Sequence, residues 1–292
     1  MLTPLRYPGG KGKLGAWLAH LLRNNNIHNG SYIEAYAGGA GAAIYLLSNK
    51  YVKNIYINDI DAAIYSFWNS VTNDSRSFIK LLLETEVSID ERERQRDIYL
   101  NPLRHTELEL GFATFFLNRT NRSGIIKGGV IGGKDQKGTY KIDARYTKEN
   151  LAKRVLNISE MKSNIFISSD DAIKFMKTVP LSANSLVNLD PPYYKKAEQL
   201  YSSFYSHDDH VRIAQLVQSV VTPIIVTYDN CEEIQEIYED HNSLTFNIIY
   251  SSHLDRPVAK ELLIYKNINI DPLPFTSKQI RPIKEPNLLP IP

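Results

Sequence analysis

A chain of 292 residues, 43% hydrophobic and 23% charged, is long enough for one large α/β core, or for a core with an inserted subdomain. A formal net charge of only +2 excludes any conclusion from bulk charge, so a polyanionic partner has to be read from local clusters. The single cysteine, Cys231, excludes intramolecular disulfides and CxxC metal sites, and no window approaches the roughly 18 apolar residues of a membrane span.

In chain order, the start MLTPLRYPGGKGK is turn-rich and basic with no apolar run behind it, which predicts a cytoplasmic protein without a signal peptide. Within it, RYPGGKGK (Arg6–Lys13) has the glycines and lysines of a phosphate loop. The G-x-x-x-x-G-K-[ST] spacing is missing, however, and Leu14 falls where the hydroxyl should be. A nucleoside triphosphatase is therefore not expected, although Tyr7 and Lys11 offer an aromatic face and a cation beside a ligand. SYIEAYAG (31–38) reads as a strand ending in a Gly-rich turn, GAAIYLLSNK as the helix after it, and NIYINDID (54–61) as a second strand. Glycines in EAYAGGAG (Glu34–Gly41) let the backbone approach a ligand at a helix N-terminus. The last glycine of a dinucleotide fingerprint is absent, which argues against NAD but not against a nucleoside. Asp59, about 20 residues further on, stands where an acid takes ribose hydroxyls in such folds.

The strand–helix rhythm breaks over residues 67–157. There the chain turns helical and charged (ETEVSIDERERQRDIYL), then Gly-rich and basic (NRTNRSGIIKGGVIGGKDQKGTYKIDARYTKENLAKR). We read SIDERERQRD as a solvated helix face. The basic stretch carries Arg119, Arg122, Lys127, Lys134, Lys137, Lys141, Arg145, Lys148, Lys153 and Arg154, with Tyr140 and Tyr146 interleaved. Its glycines at 124, 128, 129, 132, 133 and 138 suggest a mobile hairpin. Cations, aromatics and flexible glycine together suit contact with a nucleic-acid backbone and insertion into a groove. The insertion divides a core domain into residues 1–66 and 158–270, and residues 271–292 form a Pro-rich extended tail.

After the insertion come the strands NIFISSDD (164–171), SLVNLDPP (185–192), TPIIVTYDN (222–230), TFNIIYSS (245–252) and KELLIYKN (260–267). Alternation with helices such as HDDHVRIAQLVQSVV (207–221) argues for an α/β fold with a mainly parallel sheet, while the last two strands, with no helix between them, predict an antiparallel edge hairpin. HDDH reads as a helix cap led by Ser206 and Asp209 and not as a metal cluster. Cys231 reads as a buried small residue, and His253, Asp255 and Arg256 as either an exposed turn or a nucleic-acid contact.

The order PLRYPGGK, EAYAGGAG, NDID, a long basic insertion and finally DPPYY resembles the Dam-type, alpha-class N6-adenine DNA methyltransferases, over roughly residues 1–267. The resemblance implies a Rossmann-like seven-stranded sheet with an inserted helical and β-hairpin DNA-recognition domain. It implies S-adenosyl-L-methionine as cofactor, with Tyr7 and Lys11 beside it and Glu34, Ala35, Gly39 and Gly41 on the methionine side. Asp59 would take the ribose, Asp170 or Asp171 the adenine, and Asp190 the reacting end. Ala37 departs from the commoner Phe-x-Gly-x-Gly of that loop. Asp190, Pro191, Pro192 and Tyr193 fall on the catalytic motif. An exocyclic amine is a poor nucleophile, and the carboxylate of Asp190 with the carbonyl of Pro191 would accept its two N–H bonds. Each proline fixes φ, and Tyr193 would stack on an extruded base, with Tyr201, Phe204 and Tyr205 as candidates to close over it. No covalent enzyme intermediate is needed. Asn118, Arg119, Asn121, Arg122 and Ser123 fall where DNA contacts lie in that family, joined by Lys127, Lys134, Lys137, Tyr140 and Arg145 of the basic stretch. Partners implied are double-stranded DNA, a cognate restriction endonuclease acting separately, and no membrane. The protein would be a monomer or weak dimer in the prokaryotic cytosol or nucleoid. An N4-cytosine DNA methyltransferase and a non-catalytic DNA-binding module stay open as alternatives, and the recognition sequence is not legible.

Overall fold

The computed structural model describes residues 2–7, 10–195, 205–249 and 258–275. Its centre is a seven-stranded sheet in the order β3-β2-β1-β4-β5-β7-β6, built from β1 (Ser31–Glu34), β2 (Asn54–Asn58), β3 (Ile165–Ser168), β4 (Ser185–Leu189), β5 (Ile224–Asp229), β6 (Asn242–Ile249) and β7 (Val258–Lys266). The first five pair in parallel, and β7 runs antiparallel to both β5 and β6. Continuous apolar runs explain the parallel part, since β4 is buried along its whole length. The predicted antiparallel pair is present, with β7 inside and β6 at the edge.

Helices cover both faces. On one, α1 (Gly15–Asn24) and α2 (Gly41–Ser48) bury Trp17, Leu18 and Ile44 in a cluster that continues through Phe67 and Phe115. On the other, α8 (Ala172–Thr178) and α9 (His207–Ser219) bury Phe175, Ile213 and Val217 against Val187 and Val226. Strand order reverses between β1 and β4, which opens a crevice at their carboxyl ends, the usual ligand position in doubly wound sheets.

The insertion between β2 and β3 is helical: α3 (Ala62–Asn73), α4 (Ser75–Glu84), α5 (Ile89–Leu100), α6 (Glu107–Thr120) and α7 (Lys148–Glu160). Thr106 and Glu109 start α6 with a reciprocal capping box, and every residue of α6 from Leu110 to Thr120 is buried. Phe67, Phe78, Phe112 and Phe115 pack mostly edge to face. These rings share one apolar cluster with α1 and α2, so the insertion has grown into the core that supports the sheet.

The predicted hairpin is corrected. Among the described residues, its ladder shrinks to one antiparallel bridge between Asn121 and Val130. Gly124, Gly132 and Gly133 lie at φ of 78°, 85° and 80°, which reverses the chain instead of pleating it. Val130, Ile142 and Tyr146 are buried, which anchors the segment.

Candidate active site

A solvent-open cleft of roughly 840 Å³ lies at the carboxyl ends of β1 and β4, with Tyr7, Lys11, Glu34, Gly38, Gly41, Asp59, Asn188, Asp190, Pro192 and Tyr205 among its walls. Two Gly-rich segments distant in sequence form one side. A Cβ on Gly41 would stand 3.1 Å from the Cα of Gly12. Gly38, at φ 45°, lies under the Tyr7 ring, where a Cβ would come within 2.7 Å of it. The loop is tied from behind: Thr3 Oγ1 donates to the Gly39 carbonyl (2.7 Å) and Trp68 Nε1 to the Gly38 carbonyl (2.9 Å). Gly39 and Ala35, expected at the cofactor, do not face the cleft. Gly39 is filled from behind by the Cβ of Tyr7, and buried Ala35 presents its carbonyl to Asn58.

Asp59 accepts from the backbone N–H groups of Gly38 (2.8 Å) and Asp61 (3.0 Å), while burial pushes its carboxyl up to about 7. Glu34 accepts from the Tyr32 hydroxyl at 2.9 Å, and burial, with the charge of Asp190 adding to it, pushes its carboxyl up to about 8. Of the two acids left open by sequence, Asp171 caps α8, accepting from Ile173 and Lys174 N–H groups. Asp170 pairs with Lys174 at 2.6 Å, and neither acid is among the lining residues. Local helix chemistry accounts for the bonds that both acids make. Asn58, unremarkable in the sequence, donates to the Ala35 and Asp170 carbonyls and accepts from Ser168, joining the ends of β1, β2 and β3.

Asp190 follows β4 at the cleft. Its Oδ1 accepts from Thr227 Oγ1 (2.7 Å) and lies 2.9 Å from Lys11 Nζ. Lys11 Nζ also donates to the Tyr193 hydroxyl (3.3 Å) and stands 3.4 Å from Glu261 Oε2, and the Tyr193 hydroxyl donates to Glu261 Oε1. Burial works against the Lys11 charge, yet Asp190 and Glu261 hold the ammonium well above its usual range. The motif backbone is fixed further along, where Asp229 accepts from the N–H groups of Tyr194 (2.9 Å) and Lys195 (3.2 Å). Tyr193 is only 6% exposed and outside the cleft wall, so the expected open stacking face is corrected: its hydroxyl is drawn inward by Glu261 and Lys11. Pro192 and Tyr205 line the cleft, and the Tyr205 hydroxyl bonds that of Tyr36 at 2.9 Å. Tyr201, Phe204, His253, Asp255 and Arg256 lie outside the described residues. Glu261, Thr227 and Asp229 were missed from sequence, and the one available signal, for Glu261, was an acid heading the apolar run LLIY in KELLIYKN.

The insertion divides its candidates sharply. Asn118 is 0% exposed: its Oδ1 accepts from Arg6 N–H (2.8 Å) and its Nδ2 donates to the carbonyls of Arg6 (3.0 Å) and Gly124 (2.8 Å). Asn121 accepts from Arg92 Nε (2.8 Å) and donates to the carbonyls of Ile125 and Ile126. Both are corrected from DNA contacts to backbone clamps, and Arg92 from solvated to buried. Arg119 is also buried, and its Nε and Nη2 have no hydrogen-bond partner among the described residues. Burial, then the charges of Arg154, Arg6 and Arg145, push that guanidinium down to about 9. Arg122, Lys127, Lys134, Lys137, Tyr140 and Arg145 are exposed, with Arg145 over the Tyr140 ring, and Ser123 sits half-buried at φ 57°. Ser206 and Asp209 form the expected capping box. Among the described residues no group of His, Cys, Asp and Glu can hold a metal, and no helix is long and apolar enough to cross a membrane.

A family model described as D12 class N6 adenine-specific DNA methyltransferase matches residues 7–255. No curated protein matches in a sequence search. Solved structures similar to this one include a provisionally assigned RNA methyltransferase from Pyrococcus horikoshii, 11% identical over 90% of this chain and 86% of its own (TM-score 0.41). A provisionally assigned methyltransferase from Streptococcus mutans, in complex with SAH, is 11% identical over 84% and 96% (TM-score 0.32). The rRNA methyltransferase AviRa of Streptomyces viridochromogenes is 10% identical over 86% and 84% (TM-score 0.35).

Proposed function

This chain belongs to the D12 class N6 adenine-specific DNA methyltransferases, and we propose that it methylates N6 of an adenine flipped out of double-stranded DNA, by direct transfer without a covalent enzyme intermediate. S-adenosyl-L-methionine is the cofactor, and when bound it supplies an electrophilic methyl group on a sulfonium. The cleft suits it: glycines at 38 and 41 clear the floor, Tyr7 offers a ring, and half-buried Asp59 and buried Glu34 offer carboxyls to hydroxyl and amine groups.

The observation that carries the reading is Asp190, held on the cleft wall through Oδ1 by Thr227 and Lys11. Neither bond uses Oδ2, which leaves that oxygen to accept from a target amine, with the carbonyl of Pro191 as the second acceptor. Two acceptors orient the nitrogen lone pair and favour the positive charge that grows on it. A base stacked in a duplex cannot reach a recessed carboxylate, so the target has to leave the stack. Cys231 supports direct transfer: it starts α10 (Glu232–Ile237), is absent from the cleft wall, and burial pushes its thiol up to about 11. The exposed cations from Arg122 to Arg145 would meet the duplex, and the guanidiniums gathered around Arg119 would face its phosphates. Location in the prokaryotic cytosol or nucleoid, a monomeric or weakly dimeric state and a separate cognate endonuclease rest on the family resemblance.

The test is direct. Unmethylated genomic DNA is incubated with the protein and labelled cofactor, and the nucleosides are resolved by mass spectrometry. Label is expected in N6-methyladenine, whereas label in 4-methylcytosine alone sinks the adenine assignment. Asp190→Ala is expected to lose turnover by more than about 10³-fold while its cofactor Kd stays within about tenfold; a variant with parental turnover sinks the role of Asp190.

A further inference from the structure

We propose that Glu261 of β7 is a positioning residue for methyl transfer, fixing Lys11 and Tyr193 beneath Asp190; this role rests on the methyltransferase reading above. Glu261 is 1% exposed in a strand whose next three residues, Leu262, Leu263 and Ile264, are also buried. An apolar residue would pack there without the several kcal/mol that burying a carboxylate costs. Packing alone therefore does not account for an acid at this position.

Register shows what the carboxylate serves. Glu261 pairs with Asp229 across the β5–β7 ladder, and Thr227 pairs with Leu263. Side chains alternate along each strand, so Thr227, Asp229 and Glu261 lie on one face. Each holds a different part of the motif after β4: Thr227 the Asp190 carboxylate, Asp229 the N–H groups of Tyr194 and Lys195, and Glu261 the Tyr193 hydroxyl. The segment from Asp190 to Lys195 is thus seated on a row of three polar side chains from neighbouring strands.

Lys11 gives the carboxylate a second task. The ammonium lies between Asp190 at 2.9 Å and Glu261 at 3.4 Å. Paired with Asp190 alone, it would cancel the charge that the target amine needs as acceptor. With Glu261 ionised the three groups sum to one negative charge in a desolvated place, where it acts strongly on a nitrogen becoming positive. The bond to the Tyr193 hydroxyl meanwhile holds that side chain in one orientation. Glu261 touches none of the reacting atoms on this account and works through Lys11 and Tyr193.

The experiment measures kcat and KM on unmethylated genomic DNA, cofactor Kd by calorimetry and Tm for the parent, Glu261→Gln, Glu261→Asp and Tyr193→Phe. Glutamine still accepts from the Tyr193 hydroxyl but removes the charge. Its kcat is expected to fall thirtyfold or more, with KM and cofactor Kd within threefold. Aspartate, which restores the charge, recovers part of that loss. Tyr193→Phe keeps the ring and is expected to lose kcat at least fivefold. Glu261→Gln that is folded with kcat within threefold of the parent overturns the proposal, as does a loss expressed wholly in KM. Should Glu261→Gln unfold at the assay temperature, Tyr193→Phe decides instead, and parental kcat in that variant overturns the role. A parent inert on DNA is a different failure: it removes the methyltransferase reading itself, and this role with it.

Discussion

At the cleft and in the insertion, the same residue types do opposite things. Around Asp190 the buried polar side chains bond one another, so Lys11, Thr227 and Glu261 prepare a carboxylate that still faces open space. In the insertion, Asn118, Asn121 and Arg92 spend most of their hydrogen bonds on the protein backbone and, between Asn121 and Arg92, on each other, and the cations that reach solvent lie further along the Gly-rich segment. The difference teaches that a polar residue in a recognisable motif has two ways to matter, by meeting the ligand or by holding the chain that does. Asn118 is the clearest case of the second. It joins the loop at Gly124 to Arg6, one residue before the Tyr7 ring that lines the cleft.

The hardest break in that comparison is Asn118→Ala. It strips three hydrogen bonds made by a fully buried side chain, one to the buried Gly124 carbonyl and two to the half-buried backbone of Arg6, at about 1–3 kcal/mol for each buried group left unpaired. A loss of roughly 3 kcal/mol or more in unfolding free energy is expected by denaturant titration. Cofactor affinity should fall more than DNA affinity, because Arg6 carries Tyr7. Unchanged stability with lost DNA binding would return Asn118 to the duplex.

The regions also separate by pH. Burial raises Glu34 to about 8 and Asp59 to about 7, from ordinary values of 4.5 and 3.8. Between ordinary and raised values the folded chain keeps protons that the unfolded chain releases. Stability from these groups is therefore full below pH about 4 and is lost as pH rises through about 7 and 8. Each carboxyl contributes a slope of up to about 1.4 kcal/mol per pH unit. Calorimetry without cofactor should show Tm falling from about pH 5 to about pH 8.5, and Glu34→Gln should flatten the upper part of that fall. Parallel curves for parent and variant would mean that Glu34 is not the group responsible.

Sequence spoke clearly where chemistry and backbone demand coincide. The Gly-rich run from Glu34 to Gly41 leads from a strand into a helix, and Asp190 ends an apolar strand, so order and spacing alone place both at the carboxyl ends of neighbouring strands. Gly38, whose φ and closeness to the Tyr7 ring demand glycine, was not singled out. The seven strands were equally plain, because β-branched runs alternate with amphipathic helices. Glu261 was obscured because its meaning lies in strand register, which brings it beside residues roughly 70 to 250 positions away. In DERERQRD, charge density hid Arg92, whose burial depends on a turn at Asn121 and Gly128 rather than on its own neighbours. Asp170 and Asp171 were indistinguishable as letters, and capping geometry alone tells them apart.

The smallest expected effect tests the exposed half of the insertion. Lys134 and Lys137 are solvent-exposed, and the ion pair that Lys137 makes with Asp135, at 4.0 Å, is long and wet. Such a pair contributes less than about 1 kcal/mol. Lys134→Ala with Lys137→Ala should leave unfolding free energy within about 0.5 kcal/mol of the parent. If both cations meet phosphates, each releases a counterion, so the slope of log K against log salt becomes shallower by about 1.8. At one moderate salt concentration this is a several-fold loss of affinity, easily mistaken for noise, and the slope is the measurement to make. An unchanged slope would place the duplex against the guanidiniums near Arg119 instead, and the Gly-rich segment would then stand beside the DNA without neutralising it.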